Sequence, residues 1–397
     1  MSSYTNSRIS TSPIQAVVRS LQLADGLPFA DILSAKDIRQ AFDDADCHFA
    51  ESEEDIYSPA VTLWAFLSQM LFTGSARSCH AAVQRVRELC RFLGKTLPSL
   101  KSGGYCKARN KIDEAVPEQL IRTIAEKTER KARKNWKWCG RNHLYLVDGS
   151  HVKGSDTPNN QEEYPQPKSQ AEGYGFPMMR ILILTSLITG MVRAIAMTSY
   201  YGKETGEVAL LRSLIDQIEE GSVVVGDQLF CSYMMIALLS AAGIDVVTKL
   251  YESRDIDFHD RKTCRKISRG NWIVTLKRPI RPEWMSPEQY QTIPETLELR
   301  LVEVTVSEKG VRSKHFFVAT TLMDHKAYPN EALSELYYKR WHVELDWNSL
   351  KTMMGLNDLR GKSPHMLRLE LLVGVLAYNL VRLRIASAAC LGGVLSL

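Results

Sequence analysis

A change in hydrophobic period near His143 constrains the fold of this chain more than any other feature. Before it, apolar residues recur three and four positions apart in segments such as 61–72 and 79–93, which is the period of amphipathic helices. After it come short apolar runs, rich in β-branched residues and separated by turn residues. The predicted order from His143 to Leu250 is β-β-β-α-β-α-β, which favours a mixed sheet with helices on its faces.

A second change follows at about residue 252. Three further strands with Pro-rich connections are predicted, at 271–278, 295–306 and 314–322. A helix then begins near Asn330, a candidate N-cap. The chain is therefore predicted to be of the α/β class and to have four parts: a helical N-terminal domain over 1–140, the first part of the sheet core over 141–251, a β-rich insertion over 252–328, and a helical remainder over 329–397.

The cysteines and the apolar runs indicate where the protein works. Its eight cysteines are spread over 397 residues and include no C-x-x-C pair, which fits a reducing compartment better than a disulfide framework. The first ten residues lack the apolar core of a signal peptide, and polar residues interrupt the long apolar runs. We therefore expect a cytoplasmic protein with no membrane partner.

Two basic stretches stand out against a mild net charge of +5. The stretch 121–141 has eight Lys and Arg against two acids, and the stretch 249–281 has ten against four. Both contain aromatic residues, which suits contacts with a phosphate backbone and with bases. Two solvated faces explain the same pattern and stay open as an alternative. The candidate DNA contacts in the second stretch are Lys249, Arg254, Arg261, Lys262, Arg265 and Lys266.

The helix after Asn330 carries a row of polar side chains beside its apolar face. In a helical projection at 100° per residue, an apolar stripe that includes Leu336 runs along one side of this helix. Four residues lie at the flank of this stripe, within about 60° of each other: Tyr337, Arg340, Glu344 and Lys351. From this helix alone, an ion pair between Arg340 and Glu344 is the simpler interpretation, because the two lie four residues apart.

Two acids elsewhere give Glu344 potential partners. Asp148 follows the predicted strand 144–147, and Asp227 follows the predicted strand 223–225. A lone Asp after a strand is usually a turn former. Acids at the carboxyl ends of buried strands, however, lie where open α/β sheets place their ligands. Three such carboxylates would form a set of hard oxygen ligands, which Mg²⁺ and Mn²⁺ prefer.

These motifs match a known family. The spacing Tyr337-x2-Arg340-x3-Glu344-x6-Lys351 is similar to the Tyr-Arg-Glu-Lys signature of the insertion-sequence-4 family of DDE transposases, which are bacterial cut-and-paste enzymes. The segments LVDGSH and VVVGDQLF resemble the two aspartate blocks of that family. The resemblance implies a ribonuclease-H-like mixed sheet core that is interrupted by a β-rich insertion and preceded by an all-α N-terminal domain.

The resemblance also implies roles for individual residues. The catalytic and metal-binding triad would be Asp148, Asp227 and Glu344, which would hold two Mg²⁺ or Mn²⁺ ions. DNA phosphates near the cleaved end would be contacted by Tyr337, Arg340 and Lys351. The family stacks a flipped base on an aromatic residue of the insertion, for which Trp272 and Phe316 are the candidates.

The implied activity is DNA transposition. A homodimer in a synaptic complex would bind the inverted repeats of double-stranded DNA, nick a strand with water, and use the freed 3′-hydroxyl to attack the opposite strand. The ends would then be joined to target DNA, in a bacterial cytoplasm and in association with the nucleoid. Two alternatives stay open: a metal-dependent nuclease on the same core, and a catalytically decayed DNA-binding relative.

Overall fold

The computed structural model describes residues 33–50, 52, 55–132, 137–169, 171, 173–306 and 314–391. The chain divides into two compact units. The first runs to Ile124 and also includes Leu350–Leu356 and the residues from His365 onward. The second consists of Ala125–Ser349 and Asn357–Pro364.

Helices account for most of the first unit and connect the strands of the second. Several begin at a serine whose side chain caps the first turn, such as Ser78 and Ser232. None of the described helices is long and apolar enough to span a membrane. The described α-helices are α1 (Ala35–Asp44), α2 (Pro59–Met70), α3 (Cys79–Phe92), α4 (Gly103–Arg109), α5 (Ala115–Ala132), α6 (Pro158–Glu163), α7 (Glu207–Leu214), α8 (Tyr233–Ala241), α9 (Pro287–Thr292), α10 (Asn330–Met353) and α11 (Pro364–Leu391).

The first unit is held together by an apolar core and a buried ion pair. Trp64 on α2 and Val83 on α3 belong to the same buried cluster. Arg77 donates to Glu370 on α11 at 2.6 Å and to the main-chain carbonyl of Met354 at 2.7 Å. Both ends of the chain therefore contribute to this unit, and a separate all-α N-terminal domain stays a prediction.

The second unit is built on a nine-stranded sheet with the strand order β3-β2-β1-β4-β5-β9-β8-β7-β6. Strand β1 is parallel to β4, β4 is parallel to β5, and β2 and β3 are antiparallel. The strands are β1 (Leu144–Lys153), β2 (Met178–Ser186), β3 (Val192–Ser199), β4 (Val223–Gly226), β5 (Asp245–Lys249), β6 (Cys264–Ser268), β7 (Asn271–Lys277), β8 (Thr296–Val306) and β9 (Lys314–Thr320).

This arrangement confirms the predicted mixed sheet, and it fits a ribonuclease-H-like core. Buried clusters cover both of its faces. One contains Tyr145 and Val224 together with apolar residues of α7 and α8. The other contains Leu144 and Val223 together with Leu336 of α10. Neighbouring positions along a strand point to opposite faces, and the consecutive residues Leu144–Val147 of β1 and Val223–Val225 of β4 are all buried and apolar, which is typical of a sheet covered on both sides.

The strands predicted between 252 and 328 are present, and they extend the same sheet. Strand β9 pairs with β5 on one side and with β8 on the other, so β8, β7 and β6 continue outward from the core. Strand β6, at the end of the sheet, was not predicted from the sequence. Its exposed lysine and arginine side chains are typical of an edge strand.

Candidate active site

Asp148 lies inside a strand, and the prediction that the strand ends before it was wrong. Strand β1 continues to Lys153 because β2 pairs with it on one side, with Asp148 opposite Ile183. On the other side, pairing with β4 stops at Leu146 opposite Val225. Asp148 therefore stands two residues beyond the last pair of the parallel ladder, at the edge where the sequence placed it.

Asp227 directly follows β4, the parallel neighbour of β1. If the parallel register is continued by two residues, Asp227 falls opposite Asp148. A Cβ on Gly226 would approach the Val147 side chain to 3.0 Å, so the two strands are still close at this point. The Asp227 carboxylate accepts a hydrogen bond from the Leu229 main-chain N–H at 2.8 Å, which fixes one of its oxygens. The structure therefore brings the two predicted aspartates to neighbouring places.

A third carboxylate, which the sequence analysis missed, lies beside them. Glu207 is the first residue of α7, and its carboxyl group occupies the space where a Cβ of residue 149 would stand. That space exists only because residue 149 is glycine, and Gly149 directly follows Asp148. The only sequence signal is an acid at the first position of a helix, which the helix dipole explains equally well.

The charges of these groups affect one another. The pKa of Glu207 is raised, first by its burial, then by the nearby negative charge of Asp227, and also by that of Asp148, while Arg180 acts in the opposite direction. Arg180 donates to the Thr205 carbonyl at 3.1 Å, just before α7. The site is therefore rich in negative charge, and the positive charge of Arg180 offsets only a part of it.

Tyr337 and Arg340 approach the same site from α10. Tyr337 is only 2% exposed and belongs to a buried cluster with Leu336, so the helical projection that set it at the flank of the core was wrong. The guanidinium of Arg340 lies 5.3 Å from the Tyr337 ring centroid. Burial raises the pKa of Tyr337, Arg340 opposes the rise, and the charge of Asp227 adds to it. Tyr337 is therefore within electrostatic reach of both Arg340 and Asp227.

The two remaining residues of the helical signature are less informative. Glu344 lies on α10, but its side chain is outside the described residues, so its pairing with Arg340 stays untested. Lys351 lies near the end of the same helix, in the first compact unit, and its side chain is buried with 8% exposure. Their predicted roles in metal and phosphate binding stay predictions.

A cavity of about 400 Å³ collects several of the predicted DNA contacts. Lys249, Arg254 and Phe316 line it, with the ammonium group of Lys249 5.8 Å from the Phe316 ring centroid. Phe316 in turn lies 5.6 Å from Tyr337, between ring centroids. One guanidinium nitrogen of Arg254, Nη1, is buried and has no hydrogen-bond partner among the described residues. The cavity thus combines an aromatic wall, two cations, three acids and an unsatisfied donor, and Lys249 pairs with one of the acids, Glu252, at 2.6 Å.

Other predicted contacts lie apart from this cavity. Trp272 packs against Phe258 and Phe317, with ring centroids 5.0 and 5.6 Å away, which is the environment of a core aromatic. Lys266 lies over its ring at 5.7 Å. The exposed basic residues of the outer hairpin do not line the cavity. They are Arg261, Lys262, Arg265 and Lys266.

The acidic site fits a divalent cation by its chemistry, although its groups are not arranged around one. Among the described side chains, no three Asp, Glu, His or Cys residues stand in metal-binding geometry. The oxygen-only donor set suits Mg²⁺ or Mn²⁺. Carboxylates that share one site repel each other, and a bound cation removes that repulsion.

Comparisons with known proteins agree with this chemistry. A family model described as Transposase DDE domain matches residues 141–380. The transposase InsG for insertion sequence element IS4 of Escherichia coli strain K12 is 26% identical over 257 residues, 64% of this chain and 54% of that protein. A putative transposase for insertion sequence element IS4SA of Synechocystis is 23% identical over 221 residues, 53% of this chain and 54% of that protein. The chain therefore spans about half the length of the curated relatives it matches.

One solved structure with a similar chain is the piggyBac transposase in a synaptic complex with hairpin DNA. It is 11% identical, and the match covers 94% of this chain and 76% of that chain at a TM-score of 0.39. At this score the likeness carries no structural argument.

Proposed function

Because the chain belongs to the Transposase DDE domain family, we propose that it binds the ends of its own insertion sequence, cleaves them and joins them to target DNA. Membership rests on the family match over 141–380, and the predicted relation to insertion-sequence-4 transposases is confirmed by the curated relatives. End binding, cleavage and joining are the proposed part.

One observation carries the proposal. Asp148 on β1 and Asp227 just after the parallel strand β4 fall opposite each other when the register of the two strands is extended by two residues, and Tyr337 is within electrostatic reach of Asp227. We propose that these aspartates, with Glu344, hold two Mg²⁺ or Mn²⁺ ions. When bound, such ions activate the attacking oxygen and stabilise the leaving oxygen of a phosphodiester. The sheet supplies rigid positions for the two aspartates, since Asp148 lies within β1 and Asp227 directly follows β4.

The remaining side chains would hold the DNA. Arg340 can bind a phosphate through two parallel N–H donors, and Lys351 would act as a point charge. For a base displaced near the cut, we propose the cavity that Phe316 lines, with Lys249 and Arg254 binding the adjoining phosphate. Trp272 is the weaker candidate for stacking, since other aromatic side chains already cover its ring.

The proposed partners follow from this activity. They are double-stranded DNA with the inverted repeats, target DNA, and a second copy of the chain in a synaptic homodimer. A protein that moves bacterial DNA would work in the cytoplasm, bound to the nucleoid. The predicted basic stretches would then contribute sequence-independent affinity for phosphates.

Substitution of Asp227 by asparagine tests the proposed cleavage. With Mg²⁺ and a duplex that contains the sequences flanking the gene, the wild type should nick the DNA, and Asp227→Asn should lose cleavage but retain binding in a gel-shift assay. Asp216→Asn is the matched control. Asp216 is exposed in the connection that links β3 to β4, so this substitution should leave cleavage unchanged. Undiminished cleavage by Asp227→Asn would reject the assignment.

A joining assay separates the proposed transposase from its two alternatives. A transposase should join the cut end to a target plasmid, which is detected as a covalent product. Cleavage with no joined product would identify a nuclease on the same core. Specific binding of the flanking sequence with neither cleavage nor joining would identify a decayed relative.

A further inference from the structure

A cluster of aromatic rings lies on the surface beside the candidate active site. His151 is exposed on β1, three residues after Asp148, and its ring lies 5.9 Å from that of Tyr200, between centroids. The Tyr200 ring in turn lies 4.8 Å from the ring of Tyr201. The guanidinium of Arg180 stands over the Tyr200 ring, 4.7 Å from its centroid. The side chains of His151, Tyr200, Tyr201 and Arg180 together form the β1-end cluster.

The pairing of the strands brings this cluster to the edge of the acidic site. His151 lies opposite Arg180 in the antiparallel ladder of β1 and β2, so the two side chains share one face of the sheet. Gly149, two residues before His151, lies on the same face, and the Glu207 carboxyl group occupies the space beside it. The charge of Arg180 opposes the rise in the pKa of Glu207, so the cluster and the acids are neighbours. At about 3.3 Å per residue along a strand, His151 lies about 10 Å from Asp148.

The charges around the cluster suit a nucleic-acid strand. Lys153 follows on the same face of β1, Lys203 lies in the connection from β3 to α7, and both are exposed. Glu204, the acid beside Lys203, is paired with Arg212. Aromatic rings flanked by cations are typical of surfaces that bind unpaired nucleic-acid strands, because bases stack on the rings and phosphates bind to the cations.

We propose that the β1-end cluster binds an unpaired stretch of the DNA strand that passes the catalytic aspartates, with one base stacked on the His151 ring and the adjoining phosphate bound by Lys153. The proposal rests on the proposed function, because it takes the occupant to be the DNA beside the cut. Tyr200 and Arg180 would be positioning residues, since the Tyr200 ring packs against that of His151 and Arg180 lies over Tyr200. The cluster shares no residue with the cavity that Phe316 lines, so it is a second place for a DNA base.

Fluorescence anisotropy with the full chain tests the proposal, in buffer without divalent metal so that no cleavage intervenes. The probes are a forked DNA with two unpaired arms and a blunt duplex with the same number of nucleotides. The wild type should bind the forked DNA more tightly than the duplex. His151→Ala should weaken binding of the forked DNA by roughly 5- to 100-fold, the effect of losing one stack between a base and an aromatic ring, and should leave binding of the duplex unchanged.

Two further variants separate stacking from other effects. His151→Phe keeps a ring and removes the polar nitrogens, so it should bind the forked DNA like the wild type; a loss as large as in His151→Ala would overturn the stacking role. His325→Ala is the matched control. His325 lies in the connection after β9, and because β9 is antiparallel to β5, this connection is at the opposite edge of the sheet from His151. It should bind both probes like the wild type, and thermal unfolding checks that each variant is folded.

The outcomes also distinguish this proposal from the function on which it rests. Equal wild-type affinity for the two probes, or an affinity for the forked DNA that His151→Ala does not change, would overturn the role of the cluster. Cleavage and joining by the wild type would then still support the transposase. A preference for forked DNA that depends on His151, in a chain that neither cleaves nor joins DNA, would support the cluster and reject the proposed chemistry.

Discussion

Arg300 offers a quantitative test of how the β-rich strands support helix α10. Its side chain is completely buried, and its Nε donates to the Asn271 side chain at 2.9 Å. The two Nη atoms donate to the Tyr328 carbonyl and to the Asn330 side chain, each at 2.7 Å. Since Asn330 is the first residue of α10, Arg300 links β7 and β8 to the start of the helix that carries Tyr337.

Substitution of Arg300 by methionine removes these hydrogen bonds, together with a longer one to the Leu322 carbonyl at 3.3 Å, and leaves four acceptors without this donor. Each buried unsatisfied acceptor costs about 1–3 kcal/mol. Part of that cost is offset because a positive charge no longer has to be buried. The cost of burying this charge shows in the pKa of Arg300, which burial lowers. We therefore expect the free energy of unfolding to fall by about 3–5 kcal/mol, which corresponds to a decrease in Tm of roughly 6–20 °C.

Urea unfolding followed by circular dichroism measures this loss. Arg269→Met is the matched control, because Arg269 is exposed in the turn between β6 and β7 and should change stability by less than about 0.5 kcal/mol. Arg300→Lys keeps the charge but not the planar set of donors, so it should recover only a part of the stability. A loss in Arg300→Met as small as that of the control would refute the view that these hydrogen bonds hold the start of α10.

Two further predictions follow from other contacts. Burial favours a higher pKa for Glu219, but hydrogen bonds from its own N–H and Tyr145 and the charge of Arg193 prevail, so its pKa is lowered. Its ionised form therefore stabilises the fold above pH 4.5, the ordinary pKa of a glutamate. Glu219→Gln should lower the free energy of unfolding by about 1–3 kcal/mol at pH 7, and this difference from the wild type should close as the pH falls below 4.5. A difference in the free energy of unfolding that is constant with pH would contradict this. Arg254→Met should weaken DNA binding equally for all sequences and reduce the slope of log K against log salt by about 1 in fluorescence anisotropy; an unchanged slope would exclude a phosphate contact.

The sequence predicted the sheet well because its signal is local. Apolar runs and turns located β1 to β5 and β7 to β9, and the strand-end position of Asp227 was correct. The end of β1 was misplaced because antiparallel pairing with β2 continues past Asp148, and pairing between strands cannot be read from a single run of residues. The segment 204–220 has the apolar spacing of one helix, but α7 ends at Leu214, and a 3₁₀ turn follows it at Ile215–Gln217.

The helix that carries the signature shows the limit of projection. An angle of 100° per residue describes one straight helix against one flat core, but α10 packs beside strands that reach it from the extended part of the sheet. Phe316 on β9 covers Tyr337, and this contact turns an edge position into a core position. The polar row in the sequence therefore includes Tyr337, whose ring belongs to the buried core. Arg340, from the same row, lies against that ring.

Glu207 could not have been found from the sequence, and the reason is physical. Sequence patterns locate acids at strand ends because the sheet gives those positions a common edge, but a helix start has no fixed place relative to that edge. What ties Glu207 to the site is the missing side chain of Gly149, a residue that the sequence alone marks only as part of a turn. A glycine inside a strand often marks the close approach of another group, and β1 continues on both sides of Gly149. Once β1 is known to run to Lys153, that glycine is no longer explained by a turn, and the group that approaches it is a carboxylate.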